Sequence, residues 1–147
     1  MTENGVTHMP RIWLMLLASL TGLFLTGCPA LTPVLSVTPG SIALDQSVTG
    51  TVLRIENTGG GTLRFSAETQ TPWIQLSQKT VPAEKASSLN GTATASSPYF
   101  LQVDIVSEQL PNTPTPKGEI LITSNGGDKT VKVAVTREYA PLLEVSA

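Results

Sequence analysis

The side chain best placed to do chemistry is the thiol of Cys28, the only cysteine in the 147-residue chain. It follows Leu25, Thr26 and Gly27 at the end of a run of thirteen mostly apolar residues, Ile12 to Phe24. Arg11, the Ile12–Phe24 core and the small residue before the cysteine fill the three roles of a secretory signal, which needs a cationic start, a short apolar core and small residues at the cut. The small residues let an extended backbone enter a peptidase site, so the chemistry indicated first is cleavage of a leader spanning residues 1–27. A membrane-spanning helix is the competing reading. It needs about 20 apolar residues, and this run is shorter and meets Pro29 and Pro33 directly after Cys28. A leftover free thiol in a secreted protein is the other alternative.

The string Leu25-Thr26-Gly27-Cys28 resembles the bacterial lipobox. The resemblance implies that Cys28 is alkylated with diacylglycerol and becomes the mature N-terminus, carrying lipid and taking no part in catalysis. Residues 28–33 then form the lipidated cysteine and a short tether. Residue 29 is proline where an aspartate would mark retention at the inner of two membranes, so the expected location is the cell envelope, at the outer membrane or surface if two membranes are present. The leader before the apolar core contains Glu3 and His8 and is not notably basic. A start at Met9 would leave the conventional Met-Pro-Arg-Ile.

Without the leader the chain has the length of one domain, and it can bury roughly two thirds of its extended surface. The formal net charge is −2, and loss of Glu3 and Arg11 leaves it unchanged. Such a balance offers nothing to nucleic acid. The mature chain keeps no histidine, because His8 lies in the leader, and it keeps no second cysteine for a disulfide. Triads built on a histidine base are therefore excluded. The acids are scattered, and the closest pair in sequence, Asp104 and Glu108, reads as a strand face followed by a loop, so neither a metal site nor a two-carboxylate glycosidase is indicated. The expectation is no enzyme, no metal and no cofactor.

Period-two alternation in short segments divided by Gly, Pro, Asn and Ser is the signature of an all-β antiparallel domain. Leu53 and Ile55 alternate with Arg54 and Glu56, and Leu63, Phe65 and Ala67 with Arg64, Ser66 and Glu68. The glycines of Asn57–Thr62 predict a hairpin between these two segments. Leu101–Ile105, Ile120–Thr123 and Val131–Thr136 repeat the pattern, with Ser124–Asp128 as the turn between the last two. Val34–Thr38 and Ile42–Asp45, split by Pro39-Gly40, predict a first strand that bends or changes sheet partner. With Trp73–Leu76 the count is seven to eight strands, which a two-sheet sandwich hides most economically. Pro82–Pro98 is small and polar and predicts a mobile loop or poorly formed edge strand, and the proline-rich Pro111–Lys117 an extended crossing. Both are also candidate binding loops.

Leu35–Leu44, Val52–Phe65 with its Asn-Thr-Gly-Gly-Gly-Thr-Leu string, Thr71-Pro-Trp-Ile-Gln-Leu-Ser77 and Ile120–Gly127 together resemble a BACON domain, over about residues 33–137. The resemblance implies an immunoglobulin-like β-sandwich of surface or secreted bacterial proteins, for which carbohydrate or mucin binding and a spacer role are the expected functions. The sequence departs from that pattern in the long Lys79–Pro98 segment and in the lack of an aromatic before the Ile120 strand, which weakens any transfer of ligand binding.

Carbohydrate sites on sandwiches rely on an exposed aromatic ring. Phe65 shares the parity of Leu63 and belongs to the core. Trp73 has the parity opposite to Ile74 and Leu76, which would face it outward, yet a tryptophan beside Pro72 at a strand start also fits a core plug. Tyr99, next to Phe100, fits equally a strand-end anchor or a ligand platform. The domain is thus expected over residues 34–138, followed by a tail, 139–147, in which Pro141–Ser146 echoes Pro33–Thr38 at a spacing of one domain length. That echo is the start of a lost repeat, a strand that swaps or completes an edge, or chance. The functional expectation is a lipid-anchored binding or scaffolding module, with glycan binding through Trp73 or Tyr99 as the alternative. Its partners are the membrane, through the lipid, and an envelope protein or glycan. The sequence does not specify oligomeric state.

Overall fold

A computed structural model describes residues 31–79 and 84–138; Cys28, its three preceding residues, Tyr139 and the Pro141–Ser146 echo lie outside the described residues. The described chain forms nine strands and one 3-10 turn at Ser107–Gln109. The strands are β1 (Leu35–Thr38), β2 (Ser41–Asp45), β3 (Gly50–Asn57), β4 (Thr62–Glu68), β5 (Ile74–Gln78), β6 (Ser88–Thr94), β7 (Tyr99–Ile105), β8 (Lys117–Ser124) and β9 (Lys129–Thr136).

They pack as two sheets, one ordered β1-β3-β7-β5 and the other β2-β9-β8-β4-β6. Alternating residues from both sheets meet in a single core. Leu53 and Ile55 of β3, Leu101 and Val103 of β7 and Leu76 of β5 face Leu63 and Ala67 of β4, Ile120 and Ile122 of β8 and Val131, Val133 and Val135 of β9, all of them buried. β3, β4, β7, β8 and β9 each keep a dry face and a wet face, which is the pattern the alternation predicts. Among the described residues the core runs from Leu35 to Val135.

The first strand does change sheets. β1 pairs antiparallel with β3, the Pro39-Gly40 step turns the chain across, and β2 pairs parallel with β9. The same crossing occurs at every later connection but one. β3, β5 and β7 lie in the first sheet and β4, β6 and β8 in the second, and only β8 and β9 are neighbours in both sequence and sheet. The predicted hairpin between β3 and β4 is therefore not formed. Their Asn57–Gly61 joint is a corner from one sheet to the other, because both segments have one apolar face and the core between the sheets satisfies both at once.

The Pro82–Pro98 segment takes the edge-strand alternative, more fully formed than expected. It holds a full strand, β6, in register with β4 from Thr62↔Thr94 to Glu68↔Ser88. Its residues are too small and polar to show an apolar alternation, and backbone pairing to β4 forms the strand where side-chain burial could not reveal it. This strand accounts for the excess over the predicted count. Pro111–Lys117 does cross from β7 to β8, but it is bent and not extended over residues 112–115, where Thr113 N–H turns back to Pro111 O at 2.8 Å; Val135 N–H to Pro116 O and Arg137 N–H to Pro114 O, each 3.0 Å, hold it.

Candidate functional site

Two regions combine exposure with unusual construction: the corner where the N-terminal segment enters, and a groove beside β6.

At the corner, Asn57 is 3% exposed. Its Oδ1 accepts the backbone N–H groups of Val34 and Gly59, each at 3.0 Å, and its Nδ2 donates to the carbonyls of Gly60 (3.2 Å) and Gly61 (3.0 Å). One buried amide thus uses both its ends to join the incoming chain to the bend, satisfying backbone groups the corner takes out of the ladders. Gly61 has φ +66°, a left-handed conformation that favours glycine. Thr58 N–H donates to Val34 O and Gly60 N–H to Thr32 O, both 3.0 Å, and Leu35 N–H reaches Gly126 O in the β8–β9 turn at 2.9 Å. Residues 32–35 are therefore fixed to one pole of the sandwich. Leu31 and Val34, 72% and 46% exposed, stand on its surface.

The chain leaves from the opposite pole. β9 runs from the β8–β9 turn to Thr136, whose carbonyl accepts from Gln46 N–H at 3.0 Å. Arg137 donates from Nη1 to Pro111 O at 2.9 Å. Entry and exit are separated by the length of β9, eight residues, or about 25 Å at ~3.3 Å per residue.

The groove has a volume of about 1320 Å³. One side consists of outward side chains of the second sheet and its turn, Arg64, Ser66, Asn90, Thr92, Thr123 and Asp128. The other is formed by Gln78, Ser97, Pro98, Tyr99 and Phe100. Tyr99 meets the buried Phe65 edge to face, with ring centroids 5.1 Å apart and planes at 77°, a favoured aromatic geometry. Gly91 lies over this pair. A Cβ there would overlap Phe65 Cζ and come to 3.0 Å from Tyr99 Cε2. Burial raises the Tyr99 phenol above its ordinary pKa, since the phenolate is the form that loses hydration. Phe100 points to the outer face of the first sheet and is 39% exposed.

The structure separates the two aromatic candidates. Trp73 is 2% exposed, in the turn that leads into β5, and Val106 N–H donates to its carbonyl at 2.9 Å. Strand parity would have faced it outward, but the alternation does not begin until Ile74, and the ring instead fills the core as a plug. It presents no face to a sugar. Tyr99 does border the groove, half-buried. Arg64, Asn90 and Thr92 were not singled out by the sequence, because they are ordinary outward residues of strands and only the pairing of β6 with β4 assembles them; Phe100, noted only as the neighbour of Tyr99, joins them from β7 of the other sheet. Among the described residues, no three of His, Cys, Asp and Glu are grouped to hold a metal.

No protein family model matches the chain, and no curated protein matches it. Solved structures do. The chain is similar to the E. coli chaperone DraB (TM-score 0.51, 11% identity, 70% of this chain and 55% of that one), and to the YadV chaperone (0.51, 10%, 73% and 53%). It is also similar to a chain of the CsuC–CsuE chaperone–tip adhesion subunit pre-assembly complex from Csu pili of Acinetobacter baumannii (0.51, 9%, 71% and 52%). The chain spans about half the length of these proteins. The likeness shows the fold, an immunoglobulin-like β-sandwich.

Proposed function

We propose that this immunoglobulin-like sandwich is a lipid-anchored module of the bacterial cell envelope that spaces or presents binding surfaces, without catalysis. The observation that carries the reading is the placement of the chain ends at opposite poles, with the entering residues 32–35 hydrogen-bonded to the Asn57–Gly61 corner and the β8–β9 turn. Lipidation of Cys28 leaves only residues 29 and 30 before Leu31, a reach of about 10 Å. The corner pole then lies at the bilayer, and whatever follows Glu138 is carried away from it. Acyl chains contribute about 0.8 kcal/mol per buried CH₂, so the attachment is durable. The resemblance of residues 33–137 to BACON modules supports the same reading, as does the buried Trp73, which serves the core and no ligand.

Energy transfer tests it. Full-length chain processed in cells is purified into vesicles containing acceptor lipids, with a donor attached at Thr58→Cys or at Glu138→Cys. Lipidation of Cys28 leaves no competing thiol. The expected result is strong transfer from position 58 and weaker transfer from 138, with heights differing by about 25 Å, the length of β9. Failure to partition with the vesicles, or equal heights, overturns the reading.

One observation favours a second reading, glycan binding. The groove sets Tyr99 and Phe100 near Arg64, Asn90 and Asp128, an apolar ring edge with polar side chains that could orient hydroxyl groups. A glycan array probed with residues 29–147 and with Tyr99→Ala checks it: one glycan class that binds the first and not the second supports the reading, and no binding removes it.

A further inference from the structure

The two sheets present four edges, β1 and β5 in one and β2 and β6 in the other. An open edge invites pairing with another chain, and proteins blunt edges with short strands, prolines, charge or a covering segment. Three edges here are blunted. β1 has four residues and lies between Pro33 and Pro39; β2 has five, follows Pro39 and ends in Asp45. β5 is covered by the segment before β6, where Leu76 and Ala86 exchange both backbone hydrogen bonds, at 2.8 and 3.0 Å. β6 is different. Ser88-Leu-Asn-Gly-Thr-Ala-Thr94 is seven residues long, with no charge and no proline.

The hydrogen-bond phase shows which groups are open. Thr69 N–H donates to Ser87 O at 2.8 Å, extending the β4–β6 register by one pair and placing residue 87 in a bonded position. Bonded positions alternate in an antiparallel ladder, so Leu89, Gly91 and Ala93 pair with β4, while Asn90 and Thr92 direct their N–H and C=O groups to the edge that no other described strand pairs. Thr94 is already used, exchanging bonds with Ser97 at 3.0 and 3.2 Å.

We infer that β6 is an interface for a second copy of this chain, joining two sandwiches edge to edge through antiparallel β6 strands related by a two-fold axis at Gly91. In that register Asn90 of each copy lies opposite Thr92 of the other, and the open groups on these residues form four hydrogen bonds. The facing pairs agree in side, Asn90 with Thr92 on the wet face and Leu89 with Ala93 on the dry face, and the pairing stops before Thr94, whose edge Ser97 already occupies. No like charges meet, and polar cross-strand pairs of this kind are favourable. The axis falls on glycine, where no side chain separates the copies and where the Phe65 and Tyr99 rings lie beneath. The strand is thus complementary to itself, as a two-fold interface requires. A short interface of this sort is weak in solution; on a membrane, attachment to one surface raises the effective concentration of the partner. The inference does not depend on that attachment.

Sedimentation equilibrium of residues 29–147 over micromolar to millimolar concentrations tests it, with amide exchange read in parallel. The expected result is a reversible monomer–dimer equilibrium in which Asn90 and Thr92 amides gain protection in the dimer. Asn90→Lys combined with Thr92→Lys sets like charges opposite each other at two exposed positions, leaves the core untouched, and weakens association by about tenfold or more. Asn90→Asp combined with Thr92→Lys makes the same positions complementary and restores it. A protein that stays monomeric throughout, a dimer that ignores the paired lysines, or protection gained by another edge overturns the inference.

Discussion

Asn57→Ala should be the most damaging single-residue change outside the hydrophobic core. The substitution removes four hydrogen bonds made by one buried amide. A typical bond contributes about 0.5–1.5 kcal/mol net, which bounds the loss between about 2 and 6 kcal/mol. Water can replace part of it, because Gly59 and Gly60 are only half-buried and Gly61 is exposed. The expected loss is therefore near the lower bound, about 2–3 kcal/mol, or a fall of about 8–15 °C in Tm for a domain of this size. Urea unfolding of residues 29–147 reports it through Trp73, the sole tryptophan once the leader with Trp13 is gone. Hydrogen exchange should localise the effect: Val34 and Gly59 amides, which Asn57 Oδ1 holds, lose protection in the variant, while those of β7 keep theirs relative to global unfolding. A loss below about 0.5 kcal/mol, within the range of ordinary surface changes, with Val34 still protected, would refute the claim that this side chain joins the entering chain to the corner.

Gly91→Ala should cost about 1–3 kcal/mol by overpacking against Phe65, whereas Gly40→Ala, with no atom within 4 Å of the added carbon, should stay within about 0.5 kcal/mol; paired thermal melts compare them. In a Tyr139→Phe background, phenolate absorbance should show Tyr99 titrating above its ordinary pKa. The fold prefers the neutral phenol, so this contribution to stability is complete below the unfolded pKa and is lost as pH rises through the folded one. Denaturant midpoints taken across the alkaline range check the direction.

The sheet-forming segments were legible because burial on one face leaves a period of two, as in Leu63, Phe65 and Ala67 or Val131, Val133 and Val135. The change of sheet at Pro39-Gly40 was legible from its turn residues. What alternation does not encode is the partner. Leu53–Ile55 and Leu63–Phe65 would bury equally well in a hairpin or across a corner, and the glycines between them permit both; the structure has the corner, held by Asn57. β6 was hidden for a related reason, since an edge strand of Ser, Asn, Gly and Thr buries little and declares itself only by its ladder to β4. The groove depends on that ladder and was illegible with it. Of its members only Tyr99 was a candidate, and Trp73 was resolved as a plug by its position in the turn before the strand begins.

Membrane attachment rests on the chemistry of Cys28, and intact mass spectrometry of the mature protein from bacterial membranes tests it most directly. The predicted result is a polypeptide beginning at Cys28 with residues 1–27 removed and acyl groups on its first residue, and a Cys28→Ser chain that carries no lipid and is not cut at that point. A mature chain that starts elsewhere, or that carries an unmodified Cys28, would contradict the anchored reading.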